Sequence, residues 1–509
     1  MTAAAPASHA LTFALSAMKG TLLQAGSAPG SDRFAGGAYD SRAVAPGQIF
    51  FALPGAQVDG FSFCAAAAAA GASVIVVAAG RGLPAGCEAA SVVAVADPRA
   101  ALGDLARAVR ARFAGRVVGV TGSNGKTTTK ELVAAALAPA GAVLRTPGSL
   151  NTEIGLPITI LLASGHEAFW VLEMAMRGRG EIALLADIAG PHIGVITNVS
   201  GAHLERLGTL EEVAHAKGEL FAGLVRAPDG SGGIAVLPAG DRLIEAEADA
   251  AGIPEQRRVR FDGPRRGDVH TLEVTPAGAG GSVVRYAVGD VPVVVRLPLA
   301  GAHNARNGAA ALAVARAAGV APLAAARGLE TPTLPPHRSA VIAAGGRNIL
   351  DDCYNANPAS MRAALAAVAS SAGGVGRSNG GSGAGTSAGT LAGTFAILGD
   401  MKEIGPDAVA LHRDIGAEAA RRLRGGLVGV GPMGAEIVAG ARAAGLDAGR
   451  AVTAASPEEA ARIVAEWTRP GDWILVKASR GMKLERAVEA LQGALAEAEN
   501  AGGQRRDAR

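Results

Sequence analysis

The run Gly122-Ser123-Asn124-Gly125-Lys126-Thr127-Thr128 gathers the residue types best suited to hold a phosphate chain. It follows the apolar stretch 116–120 and opens the helical pattern 126–137. A loop so placed offers successive backbone N–H groups and a helix N-terminus to an anion. Lys126 supplies a point charge for the terminal phosphates, and the Thr127 hydroxyl is a suitable magnesium ligand. The common GxxxxGK[ST] spacing fails by one residue, because Val120 stands five before Gly125 and the nearest glycine is Gly119. A glycine-rich turn that binds nothing is the competing reading. The strand before, the helix after and the extra threonines weigh against it.

Such a loop needs a sheet to carry it. Strand-like runs at 48–53, 73–77 and 92–95 form a first block, up to about residue 113. Runs at 116–120, 169–172 and 193–197, separated by helical stretches, form a second. The Pro-rich hinge 331–336 leads to a third, with runs at 348–351, 395–398, 427–430 and 473–476. Strands alternating with helices predict parallel α/β sheets, the last of dinucleotide-fold type without a GxGxxG fingerprint. The expected units are 1–113, 114–331 and 332–509. Residues 373–393, rich in Gly, Ser and Thr, read as a flexible insertion with no catalytic part.

Composition narrows the class. The chain has 509 residues, 49% hydrophobic and 18% charged, with a net charge of +3. These values exclude a disordered chain and a basic nucleic-acid binder, and 3% aromatic residues leave little for base stacking. Three scattered cysteines without CxxC spacing fit a reducing cytoplasm. The N-terminal segment has no Lys or Arg ahead of its apolar stretch, making it a poor secretory signal. Residues 63–80 are uncharged but rich in Ala and Gly. They read as a short helix, a break at Gly71 and a buried strand, so no membrane insertion is expected.

The loop TGSNGKTTTKE resembles that of the Mur ligase family, and further segments join it. Asp40-Ser41-Arg42 followed by residues 46–53 resembles the family's uridine-nucleotide segment. The stretch 146–157, with Asn151 and Thr152, resembles its substrate loop. Leu172-Glu173-Met174 and Asn198 to Glu205 resemble its metal-binding segments, and Gly301 to Asn307 its adenine-binding segment. In the third block Asp351-Asp352-Cys353-Tyr354-Asn355-Ala-Asn357-Pro-Ala-Ser360, with 398–403, resembles the member that adds D-alanyl-D-alanine to UDP-N-acetylmuramoyl-tripeptide.

The resemblance implies a three-domain α/β enzyme: a small N-terminal unit, a P-loop-type ATPase centre and a Rossmann-like C-terminal unit. It also implies an ATP-dependent ligase that works through an acyl phosphate in peptidoglycan precursor synthesis, with ATP and two Mg²⁺, as a cytoplasmic monomer. Glu173 and Thr127 would hold magnesium, and His203 a second ion, although imidazole is an unusual partner for so hard a cation. Lys217 matches the family's carbamylated lysine, and with Lys126, His203 and Glu173 makes up the catalytic set. Asn307 would read adenine, with Asn304, Arg338 and Asp352 also at the nucleotide. Ser41 and Arg42 would take the uridine diphosphate end. Asn355, Asn357 and Ser360 would orient the incoming dipeptide.

Each residue has a plainer reading. Glu173 could form an ordinary ion pair, His203 sit on a surface loop, and Lys217 lie on a solvated helix face. Asn304 could cap a helix, Asp-Ser-Arg form a surface turn, and the Asn-Pro step start a capped helix. Ala175 stands where the family has glycine, Phe61 where it has histidine, and Ala478 where it has glycine. Two other functions compete. A sibling ligase would carry a DNPR motif, which is absent; a non-catalytic nucleotide-binding scaffold would have lost some of these charged groups, and none is lost.

Overall fold

The computed structural model describes residues 4–55, 58–201, 204–225, 233–263, 266–278, 281–373, 392–402 and 404–507, without the side chains of 204, 205, 373 and 498–507. Three α/β units follow one another along the chain. The first carries five strands in spatial order Thr21–Gln24, Ser91–Val95, Val74–Ala78, Ile49–Phe51 and Gly37–Ala38. All neighbours are parallel except the first pair. A two-stranded ribbon, Ser8–Ala10 with Arg33–Ala35, sits beside it. The 63–80 stretch folds as expected: helix Cys64–Ala69, Gly71 at φ +95°, then strand Val74–Ala78. No described helix is long and apolar enough to cross a membrane.

The central sheet has nine strands. Its parallel part runs Val269–Pro276, Arg258–Phe261, Ile234–Pro238, Ile193–Ile196, Arg116–Thr121, Phe169–Glu173 and Val143–Arg145. In the loop-bearing strand Arg116–Thr121 every residue after Arg116 is buried. That follows from helices on both faces, which favour a continuous apolar run over alternation. The sheet departs from the all-parallel expectation at one edge, where Ser282–Val288 and Val291–Leu297 add antiparallel strands. Short turns join these three strands, and an edge facing water on one side accepts the alternation seen in Val291–Leu297.

The third unit is a six-stranded sheet in the order Ala340–Ala344, Arg347–Asp351, Trp473–Lys477, Thr394–Gly399, Gly426–Val430 and Ala451–Ala454. It is parallel apart from the first pair. The proposed insertion lies outside the described residues except at 373, 392 and 393.

The first two units share a core. Leu102 and Leu105 of helix Pro98–Ala111, Leu156 and Leu161 of helix Gly155–Leu161, and Val117 and Trp170 of the central sheet belong to one buried cluster. A Cβ on Gly37 would stand 2.7 Å from Leu161, so the first sheet is seated directly on the helix that follows Asn151 and Thr152.

Candidate active site

Strand Arg116–Thr121 lies between Phe169–Glu173 and Ile193–Ile196, and all three run parallel. Their carboxyl ends therefore open on one side, where ligands of α/β sheets gather. The phosphate loop leaves the middle strand there. Gly122 and Gly125 take φ of +147° and +78°, values that side-chain-bearing residues rarely adopt. A Cβ on Gly122 would run into the Thr197 hydroxyl, and one on Gly125 would stand 2.7 Å from Asn307 Oδ1. Both positions leave no room for a side chain.

The loop is braced from the neighbouring strand end. Ser123 N–H donates to the Asn198 carbonyl (2.9 Å) and Asn124 N–H to Asn198 Oδ1 (3.0 Å). Thr197 Oγ1 donates to the Asn124 carbonyl at 2.6 Å. Asn124 Nδ2 donates to Ser200 Oγ (2.9 Å). The first N–H groups of helix Lys126–Leu137, like those of any α-helix, have no partner within the helix and point to where an anion can bind. Lys126 Nζ folds back to donate to the carbonyls of Gly122 (2.8 Å) and Ser123 (3.3 Å). Desolvation lowers its pKa, the charge of Glu173 opposes that, and the charge of Arg338 adds to it.

Glu173 ends its strand as expected and is buried. Its Oε1 accepts from Asn151 Nδ2 (2.7 Å) and Thr127 Oγ1 (3.2 Å). Its Oε2 is buried without a hydrogen-bond partner. An ordinary ion pair is thus not what this carboxylate makes. A buried carboxylate oxygen beside a threonine hydroxyl is the hard-oxygen donor set that magnesium prefers, so the residues fit that ion. Beneath it, Thr146 Oγ1 accepts from the Glu173 N–H at 2.9 Å. Thr152 turns its hydroxyl to the Gly155 N–H (3.4 Å) at the start of the helix that carries Leu161.

Lys217 corrects the solvated-face reading. It sits in helix Leu210–Ala222 at 1% exposure, and among the described residues it makes no hydrogen bond or ion pair. Burial first, and then the charge of Lys126, hold its amine well below the ordinary lysine range. A lowered amine pKa favours the free-base form that captures CO₂, so this position too fits the modification implied for it. His203 lies outside the described residues.

Asn307 faces Gly125 and donates from Nδ2 to Asn304 Oδ1 at 3.2 Å. Asn304 is buried, with its Nδ2 on the Ala300 carbonyl (2.9 Å). Asn304 lies within helix Ala302–Ala317, whose N-cap is Gly301, and its side chain donates to a carbonyl, so it is not the cap of the plainer reading; Asn307 is the residue turned to the loop. The third unit reaches the same place: Asn357 Nδ2 donates to Asn124 Oδ1 at 2.6 Å. Asn357 also starts helix Pro358–Gly373, accepting from Ser360 N–H at Oδ1 (2.9 Å), while Ser360 Oγ accepts from Asn357 N–H (3.0 Å). Capping and contact coexist. Asn355 spends its Oδ1 on the Ala356 N–H (2.9 Å).

Arg338 packs its guanidinium 3.8 Å from the centre of the Tyr354 ring, with its Nε buried and unpartnered. Asp352 accepts from Ser339 N–H (3.0 Å) and pairs with the buried Lys477 (2.5 Å). Lys477 was given no role from the sequence, although its KASR context carried a signal. Among the described residues, no hydrogen bond or ion pair ties Ser41 or Arg42 to the loop. They form a short 3₁₀ turn capped by Asp40, with Arg42 paired to Asp40 at 2.6 Å and 87% exposed. The surface-turn reading describes that segment as it stands.

Comparison with known proteins adds three family matches. The Mur ligase family catalytic domain matches residues 34–110, the Mur ligase middle domain 120–315, and the Mur ligase glutamate ligase domain 382–480. The chain is 37% identical over 490 residues to a UDP-N-acetylmuramoyl-tripeptide–D-alanyl-D-alanine ligase of Mycobacterium tuberculosis (strain ATCC 25618 / H37Rv), covering 89% of this chain and 91% of that one. It is 34% identical to the enzyme so named in Bacillus subtilis (strain 168), with coverage of 90% and 93%. Among solved structures, MurF from Acinetobacter baumannii superposes with a TM-score of 0.78 at 26% identity, covering 97% of this chain and all of that one. MurF from Thermotoga maritima in complex with ADP gives 0.75 at 28%, covering 91% and 98%.

Proposed function

Because the chain belongs to the Mur ligase family, we propose that it joins D-alanyl-D-alanine to UDP-N-acetylmuramoyl-tripeptide with the consumption of ATP. The observation that carries this reading is the bond between Asn357 and Asn124. It sets the DDCYNANPAS segment, which resembles that of the dipeptide-adding member, on the phosphate loop. The terminal carboxylate of the tripeptide attacks the γ-phosphorus of ATP, forming an acyl phosphate and releasing ADP. The amine of the dipeptide then attacks the acyl carbon, and phosphate leaves with the C–O bonding pair. Such transfers depend on positioning and charge neutralisation.

Each residue has a task in that scheme. Lys126 leaves the loop carbonyls to meet the β- and γ-phosphates, while the N–H groups of its helix start cradle them. Thr127, Glu173 and His203, with Lys217 as a carbamate, would hold two magnesium ions, which neutralise phosphate charge when bound. The carbamate forms when the amine of Lys217 adds to CO₂ and loses a proton. Asn307 reads adenine, with Asn304 behind it. Arg338 and Asp352 come to the nucleotide from the third unit. Half-buried Ser41 and exposed Arg42 take the uridine diphosphate, and the loop of Asn151 and Thr152 serves the growing peptide. Asn355, Asn357 and Ser360 flank the dipeptide. The three units are 1–113, 114–331 and 332–509, acting as a cytoplasmic monomer.

Phosphate release from ATP, measured with UDP-N-acetylmuramoyl-tripeptide and either D-alanyl-D-alanine or single amino acids, tests the reading. Stimulation by the dipeptide alone is the expected result. Release that answers to a single amino acid instead would assign a sibling activity, and no release at all would leave a nucleotide-binding scaffold.

A further inference from the structure

The hinge between the second and third units contains an unusual backbone. His337 and Ser339 have φ of +63° and +51°, in the left-handed region, and they stand on either side of Arg338. Neither is glycine, so the surrounding structure must hold both. Two consecutive carboxylates do so. Asp351 Oδ2 meets His337 Nδ1 at 2.8 Å, and its Oδ1 accepts from Cys353 Sγ (3.0 Å). Asp352 Oδ1 accepts from Ser339 N–H (3.0 Å) and Ser339 Oγ (3.3 Å). Lys477 steadies Asp352 from behind, and Tyr354 N–H donates to the His337 carbonyl at 3.0 Å.

The ties to His337 and Ser339 hold the two neighbours of Arg338, and among the described residues no hydrogen bond ends on its guanidinium. That side chain lies over Tyr354 with a buried Nε that has no partner, and its charge is felt at Lys126. An unmet donor beside the phosphate-loop lysine is a donor held ready for an anion.

We propose that Asp351 and Asp352 clamp the hinge at residues 337 and 339 in left-handed geometry, and that this clamp aims Arg338 at the phosphates of ATP. Asp351, His337 and Ser339 are then positioning residues that act through Arg338. The inference rests on the ATP-binding part of the proposed function, and not on the identity of the amino acceptor.

Its test varies the backbone preference at residue 337 and reads ATP affinity directly, by displacement of a fluorescent ATP analogue from the full chain. Glycine accepts positive φ freely and a β-branched residue resists it. Both changes remove the imidazole that Asp351 holds and so differ in backbone preference: His337→Gly is expected to bind ATP about threefold more weakly than the parent, and His337→Val about tenfold more weakly than His337→Gly. Because Arg338 is the intermediary, adding His337→Val to Arg338→Ala should change affinity by less than about twofold. Urea denaturation of each variant separates loss of aim from loss of fold.

Equal affinities for the Gly and Val variants would overturn the clamp. So would a full additional loss from His337→Val in the Arg338→Ala background. If the parent binds ATP but shows no dipeptide-stimulated phosphate release, the ligase reading fails while these affinities still decide the clamp. If the parent does not bind ATP, both fail.

Discussion

The ammonium of Lys126 acts on Lys217, a buried amine on a different helix, and adds to burial in holding it well below the ordinary lysine range. A phosphate-loop cation and an amine with no partner among the described residues thus act on one another. The carbamate proposed for Lys217 would turn that amine into an anion. Lys217→Ala is expected to lower dipeptide-dependent phosphate release by about a hundredfold or more, on the scale of losing a metal ligand or its support. Short-chain carboxylic acids added to the assay should restore part of it, by supplying the missing anion. A variant that ignores them would count against the carbamate.

The same amine should show in the pH dependence of stability. In the unfolded chain Lys217 stays protonated up to about its ordinary value of 10.5, whereas in the fold it releases its proton at lower pH. Between those points the unfolded state binds more protons, so this residue makes stability rise with pH. The penalty is greatest at the acid end of the window and gone above 10.5. Lys217→Met should therefore raise stability more at pH 7 than at pH 10, in carbonate-free buffer. Urea denaturation at the two values checks it, and an equal offset at both would contradict it.

Glu173→Gln keeps the shape and the acceptor that Asn151 and Thr127 use, but removes the charge beside the unpartnered oxygen. Stability should stay within about 1 kcal/mol, the net worth of one altered hydrogen bond. The magnesium concentration needed for half-maximal activity should rise about tenfold or more. A titration with magnesium at fixed ATP reads it; an unchanged midpoint would remove Glu173 from the metal set.

Gly125→Ala meets two obstacles, a φ of +78° and a Cβ 2.7 Å from Asn307 Oδ1. A stability loss of about 1 kcal/mol or more follows from the backbone alone. Displacing Asn307 should also weaken ATP binding. Calorimetric titration with ATP, alongside urea denaturation, separates the two effects. Retained affinity would mean that Asn307 does not read the nucleotide.

Asn357→Asp separates the two tasks of that residue. The carboxylate still caps helix Pro358–Gly373, but it offers an acceptor to Asn124 Oδ1 in place of a donor. Stability should hold while the KM for D-alanyl-D-alanine rises, by about fivefold for the loss of one contact worth roughly 1 kcal/mol. A melting temperature that falls with no change in KM would make Asn357 a cap and nothing more.

The strands that carry the site were legible because they are continuous β-branched or apolar runs. Residues 116–120, 169–172 and 473–476 each fall within a strand of the structure. The phosphate loop was legible because its chemistry is local, with every residue within one turn. The burial of Lys217 was not. Its neighbours, including Glu211, Glu212 and Glu219, read as a water-facing surface, and only packing against the sheet places the amine inside. The antiparallel edge Ser282–Leu297 was missed because the run of parallel units gave no reason to expect a reversal. Contacts such as Asn357 to Asn124, 233 residues apart, leave no trace in local spacing.

Helix Pro358–Gly373 begins beside the phosphate loop and has 16 residues. At about 1.5 Å per residue it carries the chain about 24 Å away before reaching residue 373. The return point, Gly393, is pinned by its N–H to Asp472 at the start of strand Thr394–Gly399, at the opposite edge of the sheet from the ligand side. The chain between those two anchors is thus attached where a change of length or cargo, such as an affinity tag or a fluorophore, leaves the nucleotide pocket alone.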